Sequence, residues 1–151
     1  CLNCRECTQQ PGTAPARCVQ HDDMRELIVK IERADAFILA SPTNFGSATA
    51  LFKRFMERLV VYGYWPWGRT SPDLRKRGQP QKKAILISSC SAPGIVGRWL
   101  YATTGQLKTT AKVIGAQTVG TLVAGHMANE PHPHASRAVK AKAKRLASRL
   151  I

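Results

Sequence analysis

The sequence predicts a three-layer α/β/α domain built on a parallel sheet. Three short apolar runs lack the in–out alternation of half-exposed strands, which suits strands covered on both faces. Amphipathic stretches with apolar residues at i, i+3, i+4 and i+7 separate them. The resulting order is helix, strand, helix, strand, helix, strand, helix, the alternation from which parallel sheets with helices on both faces are made. At 151 residues the chain suits one domain, 1–151.

The opening stretch, 1–21, is rich in Cys, Pro, Gly and Thr and reads as a loop. Asp23 and Glu26 have capping-box spacing, and Met24, Leu27, Ile28 and Ile31 form the buried stripe of the helix that follows. The first strand is expected at 35–40, then a turn-rich loop at 41–46. Ser47 is the expected cap of a second helix bearing Leu51, Phe52, Phe55, Met56, Leu59 and Val60, the strongest helical period in the chain. A long excursion, 63–81, carries Trp65, Trp67 and three prolines. The second strand falls at 84–89, with a loop at 90–94. One helix then places Val96, Leu100, Leu107, Ala111 and Ile114 inward and ends at Gly115. The third strand, 118–124, is interrupted by Gly120, and the loop 125–134 leads to a last helix striped by Val139, Ala143, Leu146 and Leu150.

Net charge is +14, concentrated in two places: 69–83 holds six basic residues and one acid, and 135–151 holds six and none. Phosphate contacts make such charge compatible with nucleic acid. However, no zinc-finger spacing, RNA-binding aromatic signature or helix-turn-helix pattern accompanies it, so solvated faces explain it better. A positive field also attracts anionic ligands such as nucleotides. No apolar run is long enough to span a membrane. No signal peptide is visible, and a cytoplasmic location is the expectation.

Right-handed crossovers bring the loops after each strand to the carboxyl end of the sheet, where ligands of open α/β folds bind. The loop Ser41-Pro-Thr-Asn-Phe-Gly-Ser47 offers backbone donors and acceptors together with the flat face of Phe45, a set that suits a planar heteroaromatic; an ordinary loop with its phenylalanine in the core is the alternative. Cys1, Cys4, Cys7 and Cys18 give C-x2-C-x2-C-x10-C. That spacing can hold a four-iron cluster or zinc, or be reduced thiols without a ligand. Cys90 reads as a small buried hydrophobe. His132-Pro-His134 reads as a solvated linker.

The block ADAFILASPTNFGSATALFKRFMERL resembles the centre of flavodoxin-like NAD(P)H-dependent FMN reductases, quinone reductases and iron-sulfur flavoproteins. Its motif is a strand ending in Ser/Thr-Pro-x-x-Phe/Tyr-Gly/Ser, then a helix with Lys/Arg-x-Phe and an acid-Arg pair. The matching residues are Ser41, Pro42, Phe45, Gly46, Lys53, Phe55, Glu57 and Arg58. The resemblance implies a flavodoxin-like fold and an oxidoreductase using FMN and NAD(P)H to reduce a flavin, quinone or similar small acceptor. It implies that Pro42, Thr43, Asn44, Phe45 and Gly46 lie along the flavin ring, with Ser89, Cys90, Ser91 and Gly94 at its other edge. It implies a homo-oligomer and places Trp65 and Trp67 over the flavin's substrate face or in a subunit interface. Iron-sulfur relatives carry a compact cysteine motif before an Asp-Asp-Met helix, here Asp22-Asp23-Met24, which would make Cys1, Cys4, Cys7 and Cys18 ligands of a [4Fe-4S] cluster. A non-catalytic electron carrier or redox sensor remains the alternative. Relatives also begin with a first strand, a phosphate-binding loop and a second strand. None precedes 35–40 here, so the ring half of the site is expected without its phosphate half.

Overall fold

The computed structural model describes residues 1–79 and 81–151. Pro80, one of the three prolines of the expected excursion, lies outside the described residues. The elements in chain order are α1 (Glu6–Gln9), α2 (Met24–Arg33), β1 (Ala36–Asn44), β2 (Ser47–Ala48) and α3 (Ala50–Arg58), with a 3₁₀ turn at Leu59–Tyr62. Next come β3 (Gly63–Tyr64), β4 (Asp73–Leu74), β5 (Lys82–Ser89), α4 (Gly94–Leu100), α5 (Ala102–Val113), β6 (Ala116–Ala124) and α6 (Arg137–Ala147).

The main sheet has the order β2-β1-β5-β6. β1 and β5 run parallel from Ala36↔Lys83 to Pro42↔Ser89, and β5 and β6 run parallel from Lys82↔Ala116 to Ser89↔Ala124. The three expected parallel strands are therefore adjacent and in order. β3 and β4 form a separate two-stranded ribbon within the excursion. Opposite Ala84 and Ile85 the register slips past Val119, a bulge that twists β6 beside Gly120. A Cβ on Gly120 would come within 2.3 Å of Leu146 Cδ2, so the glycine lets α6 lie directly on the strand.

Each face of the sheet has its own core. On one, Phe37, Leu39, Ala84 and Leu86 meet Ile31 of α2, Leu107 and Ala111 of α5, and Tyr62. On the other, Ile85 and Leu122 meet Leu146, with Val139, Ala143 and Leu150 of the expected C-terminal stripe packed around them. This is the three-layer, flavodoxin-like arrangement.

Several local expectations are corrected. β1 does alternate: Phe37, Leu39 and Ser41 are buried, whereas Ile38 is 59% exposed. The second core gathers residues of β5, β6, α6 and Leu150 just beyond it, none of which buries Ile38. The strand also continues to Asn44 and turns back into β2. Asp23 makes no cap; Asp22 Oδ1 accepts from the Met24 N–H at 3.2 Å instead, and Glu26 pairs with Lys30 at 2.7 Å. Thr49, not Ser47, caps α3, because Ser47 is held in β2 by Gln106. The expected long helix breaks at Tyr101, where the Ala102 N–H donates to Gly46 O at 2.8 Å. Leu100 is consequently exposed rather than inward.

The opening segment is more ordered than its composition implies. α1 buries Cys7 and Thr8. Arg75 reaches into it from the end of the excursion, only 5% exposed, and donates to four carbonyl oxygens: Val61, Gly12, Cys7 and Gln10. Arg5 lies between Trp65 and Trp67, its guanidinium 4.2 and 4.3 Å from their ring centroids.

Candidate functional site

The loops after β1, β5 and β6 meet at the carboxyl end of the sheet and enclose an open groove. Its walls are Pro42, Thr43, Asn44 and Phe45 on one side and Ser89, Cys90 and Ser91 on the other, with Met127 and Ala128 beside them. Parallel pairing to Pro42↔Ser89 sets the two walls level with each other. No lysine, arginine, aspartate or glutamate lines the groove.

The first wall is a tight hairpin. Thr43 pairs with Ala48 and Asn44 with Ser47, leaving Phe45 and Gly46 as the two-residue turn, both at positive φ (48° and 74°). Such turns follow the twist of the strands but require a left-handed backbone, which a bulky side chain adopts at a cost. The ring of Phe45 is fully exposed, so no core contact explains its presence there. Strain without a packing reason, at the rim of a groove, is a mark of a binding loop.

α5 supports this hairpin from behind. Thr43 Oγ1 lies 2.8 Å from Thr103 Oγ1 and 3.1 Å from Ser88 Oγ, which turns its hydroxyl inward and leaves its backbone to the groove. Gln106 Oε1 accepts from the Ala48 N–H at 2.8 Å while its Nε2 donates to Ser47 Oγ at 3.0 Å. Ser41 Oγ accepts from the Thr49 N–H at 3.1 Å, joining the end of the strand to the start of α3.

The second wall is fastened to β6. The Cys90 N–H donates to Ala124 O, and the Met127 and His126 N–H groups donate to Cys90 O and Ala92 O. Burial pushes the Cys90 thiol up from its ordinary value. A Cβ on Gly97 would lie 2.4 Å from Cys90 Sγ, so this sulfur is the floor on which α4 rests.

Seven of the nine ring-contact residues expected from the sequence thus line one groove. Gly46 forms the turn behind it, where an added Cβ would meet the Tyr101 ring, while Gly94 opens α4 against Val123 O; neither is in a wall. Thr103, Gln106 and Met127 went unnoticed. Met127 was recoverable, since it follows a third parallel strand as the other two loops do. Thr103 and Gln106 give no local signal, being part of an ordinary helical face.

A second feature lies apart, sharing no lining residue with the groove. Cys1, Cys4, Cys7 and Cys18 all line one small pocket beside Arg58. Arg58 Nη2 donates to Asp22 Oδ1 at 3.0 Å and reaches Cys18 Sγ at 3.6 Å, and its guanidinium holds the Asp22 carboxyl below the usual carboxylate range. Burial, then the neighbouring Cys18 and Cys4, pushes the Cys7 thiol up. Among the described residues no three His, Cys, Asp or Glu side chains gather as a metal-binding group, so the pocket collects the four cysteines without converging their sulfurs. Trp65 and Trp67 belong to this end of the molecule. They clamp Arg5 of the cysteine segment and do not line the groove of their own chain.

A parallel α/β sheet whose strand-end loops border an open, uncharged groove places the chain among open α/β domains, which bind ligands at this end of the sheet. The family model for NADPH-dependent FMN reductase matches residues 3–130, and the chain belongs to that family. An iron-sulfur flavoprotein of Archaeoglobus fulgidus is 42% identical over 66 residues, 44% of this chain. Another, from Methanocaldococcus jannaschii, is 34% identical over 58 residues, 38% of this chain. Each aligned segment spans 28% of the relative's own length. Among solved structures, one described as a thermophilic tryptophan halogenase from Streptomycin violaceusniger superposes with a TM-score of 0.52 at 20% identity, covering 86% of this chain and 74% of that one, which is a likeness of fold alone.

Proposed function

We propose that this chain belongs to a flavoenzyme that takes reducing equivalents from NAD(P)H through FMN to a flavin, quinone or similar small acceptor. The observation that carries the reading is that the hairpin at Pro42–Phe45 and the loop at Ser89–Ser91 face each other across one uncharged groove. FMN, when bound, supplies the hydride and electron chemistry, so no acid–base triad is required of the protein. The residues fit the ring of such a group: neutral walls, an exposed aromatic edge at Phe45, and loop backbone for its polar edge. Thr103, Gln106 and Cys90 hold those walls in place. The phosphate end finds no cation among the groove's lining residues.

Titration of the chain with riboflavin, followed by flavin fluorescence, tests the assignment. Wild type should bind one equivalent, and Ser91→Trp, which fills the groove, should abolish binding while leaving the far-UV circular dichroism unchanged. Binding unaffected by Ser91→Trp would remove the flavin from this groove.

A second reading, a flavin- and cluster-containing electron carrier or sensor, is supported by the iron-sulfur flavoproteins to which the chain is similar, although the four cysteines on one pocket do not bring their sulfurs together. Anaerobic reconstitution with iron and sulfide decides it. Four irons per chain, lost together in Cys7→Ser and Cys18→Ser, support the cluster, and fewer than one iron per chain removes it.

A further inference from the structure

We propose that the outer edge of β6 forms a second ligand site, a basic groove that binds a nucleoside diphosphate. Two adjoining hollows of about 410 and 300 Å³ run along this edge and share Arg98, Gly120 and Thr121. Cations reach over it from three helices: Arg98 from α4, Lys108 from α5, and Lys142 and Arg145 from α6. No aspartate or glutamate lines either hollow. Among the described residues none of these four cations has a carboxylate partner. Cations that line one groove without counter-charge favour a multiply charged anion, which they can hold through charge-assisted hydrogen bonds.

Basic residues also guard open sheet edges against unwanted pairing. Here the guarding is done by other means. The bulge at Val119 twists the strand, and Arg149 Nη1 occupies Val119 O at 3.0 Å. The strand's own residues in the groove, Thr118 to Thr121, are neutral, and the cations come from helices instead. The same bulge and capped carbonyl disfavour an added peptide strand as the occupant.

A further observation points to a small ligand. Trp99 stands at the same groove, 77% exposed, with the Arg98 guanidinium 5.8 Å from its ring. An open indole beside a cluster of cations provides a stacking face for a base next to a clamp for its phosphates. A nucleic-acid track would need a succession of such faces; this groove has one, and its size is that of a small-molecule site. It shares no lining residue with the groove at Pro42–Ser91, so it stands or falls independently of the flavin reading.

Isothermal titration of the chain at low ionic strength tests the site, with ADP, inorganic pyrophosphate and a single-stranded octanucleotide as probes. ADP should bind one-to-one. Lys108→Glu and Arg145→Glu, both at exposed positions, should each weaken ADP and pyrophosphate by about tenfold, as loss of one charge-assisted contact implies. Trp99→Ala should weaken ADP while leaving pyrophosphate unchanged. Arg54→Glu, the same charge change on the exposed face of α3, should alter neither, and Lys108→Glu should retain riboflavin binding. No saturable ADP binding overturns the proposal, as does equal weakening by Arg54→Glu, which would reveal attraction to net charge alone. Displacement of ADP by the octanucleotide at lower concentration would make nucleic acid the occupant and overturn it too.

Discussion

At the residue scale, Arg75 and Cys90 show how much a side chain's role depends on what the fold places around it. Arg75 is one of six basic residues in 69–83, a cluster whose composition suggests a solvated loop. The fold turns it inward onto four carbonyl oxygens of the cysteine segment and its neighbours, and burial lowers its pKa from the ordinary value. Truncation would orphan those carbonyls, and breaking such a buried network costs on the order of 2–4 kcal/mol. Arg75→Ala should therefore lower the urea midpoint clearly, with Arg75→Lys recovering only part, since an ammonium lacks the planar fork. An Arg75→Ala midpoint equal to wild type would contradict the clasp. Cys90, by contrast, was legible from residue type alone, since free cysteine is among the most buried side chains. Its thiol is raised in the folded chain, so the fold favours the protonated form. That contribution is complete below the unfolded thiol value near 9 and declines as pH rises through the higher folded value. Stability should fall less between pH 9 and 10.5 in Cys90→Ala than in wild type, measured by urea titration at each pH. Alkylation at pH 8 should reach Cys1 and Cys4, which are exposed, well before Cys90.

At the element scale, the hairpin β1–β2 carries a strained turn at the rim of the groove. Phe45→Gly removes an aromatic that buries nothing and relieves a left-handed backbone worth roughly 1 kcal/mol. The expected outcome is a small rise in the urea midpoint together with weaker riboflavin binding. A variant that loses stability would show that the ring supports the fold. This hairpin also explains what the sequence left hidden. The apolar run and its Pro-x-x-Phe-Gly continuation located the strand and the turn that follows it, because both depend on local residue type, although the run's lack of alternation misjudged the strand's exposed face. The end of the strand did not show, since Ser41 and Pro42 are extended by pairing with Ser88 and Ser89 of β5, and Thr43 and Asn44 by pairing with Ala48 and Ser47. The cap moved from Ser47 to Thr49 for the same reason, and Thr49→Ala should cost about 1 kcal/mol where Ser47→Ala costs less. The break at Tyr101 is likewise tertiary: helical periodicity runs through it, and only the bond to Gly46 O stops the helix there.

At the scale of the whole molecule, alternation of elements was enough to give strand order and the common end of the loops. It did not reveal that α6 covers β5 and β6 while leaving Ile38 of β1 open. Nor could charge counting separate the buried Arg75 from the cations of the β6 groove. The neutral lining of the groove at Pro42–Ser91 leads, on the proposed flavin assignment, to a ligand-level expectation. With no cation there to meet a phosphate, riboflavin and FMN should bind this chain with similar dissociation constants in parallel titrations. FMN binding a hundredfold tighter would reveal a phosphate site elsewhere in these 151 residues.

The bond from the Ala102 N–H to Gly46 O joins the turn beneath Phe45 to the first residue of α5. One amide proton is thereby made to sense the hairpin. Whenever the hairpin lifts, that proton meets solvent and exchanges for deuterium, and whenever a ring settles against Phe45, lifting becomes rarer. Slowed exchange at Ala102 on adding riboflavin, with Leu146 on the far face of the sheet unchanged, would let a single backbone position report how full the groove is.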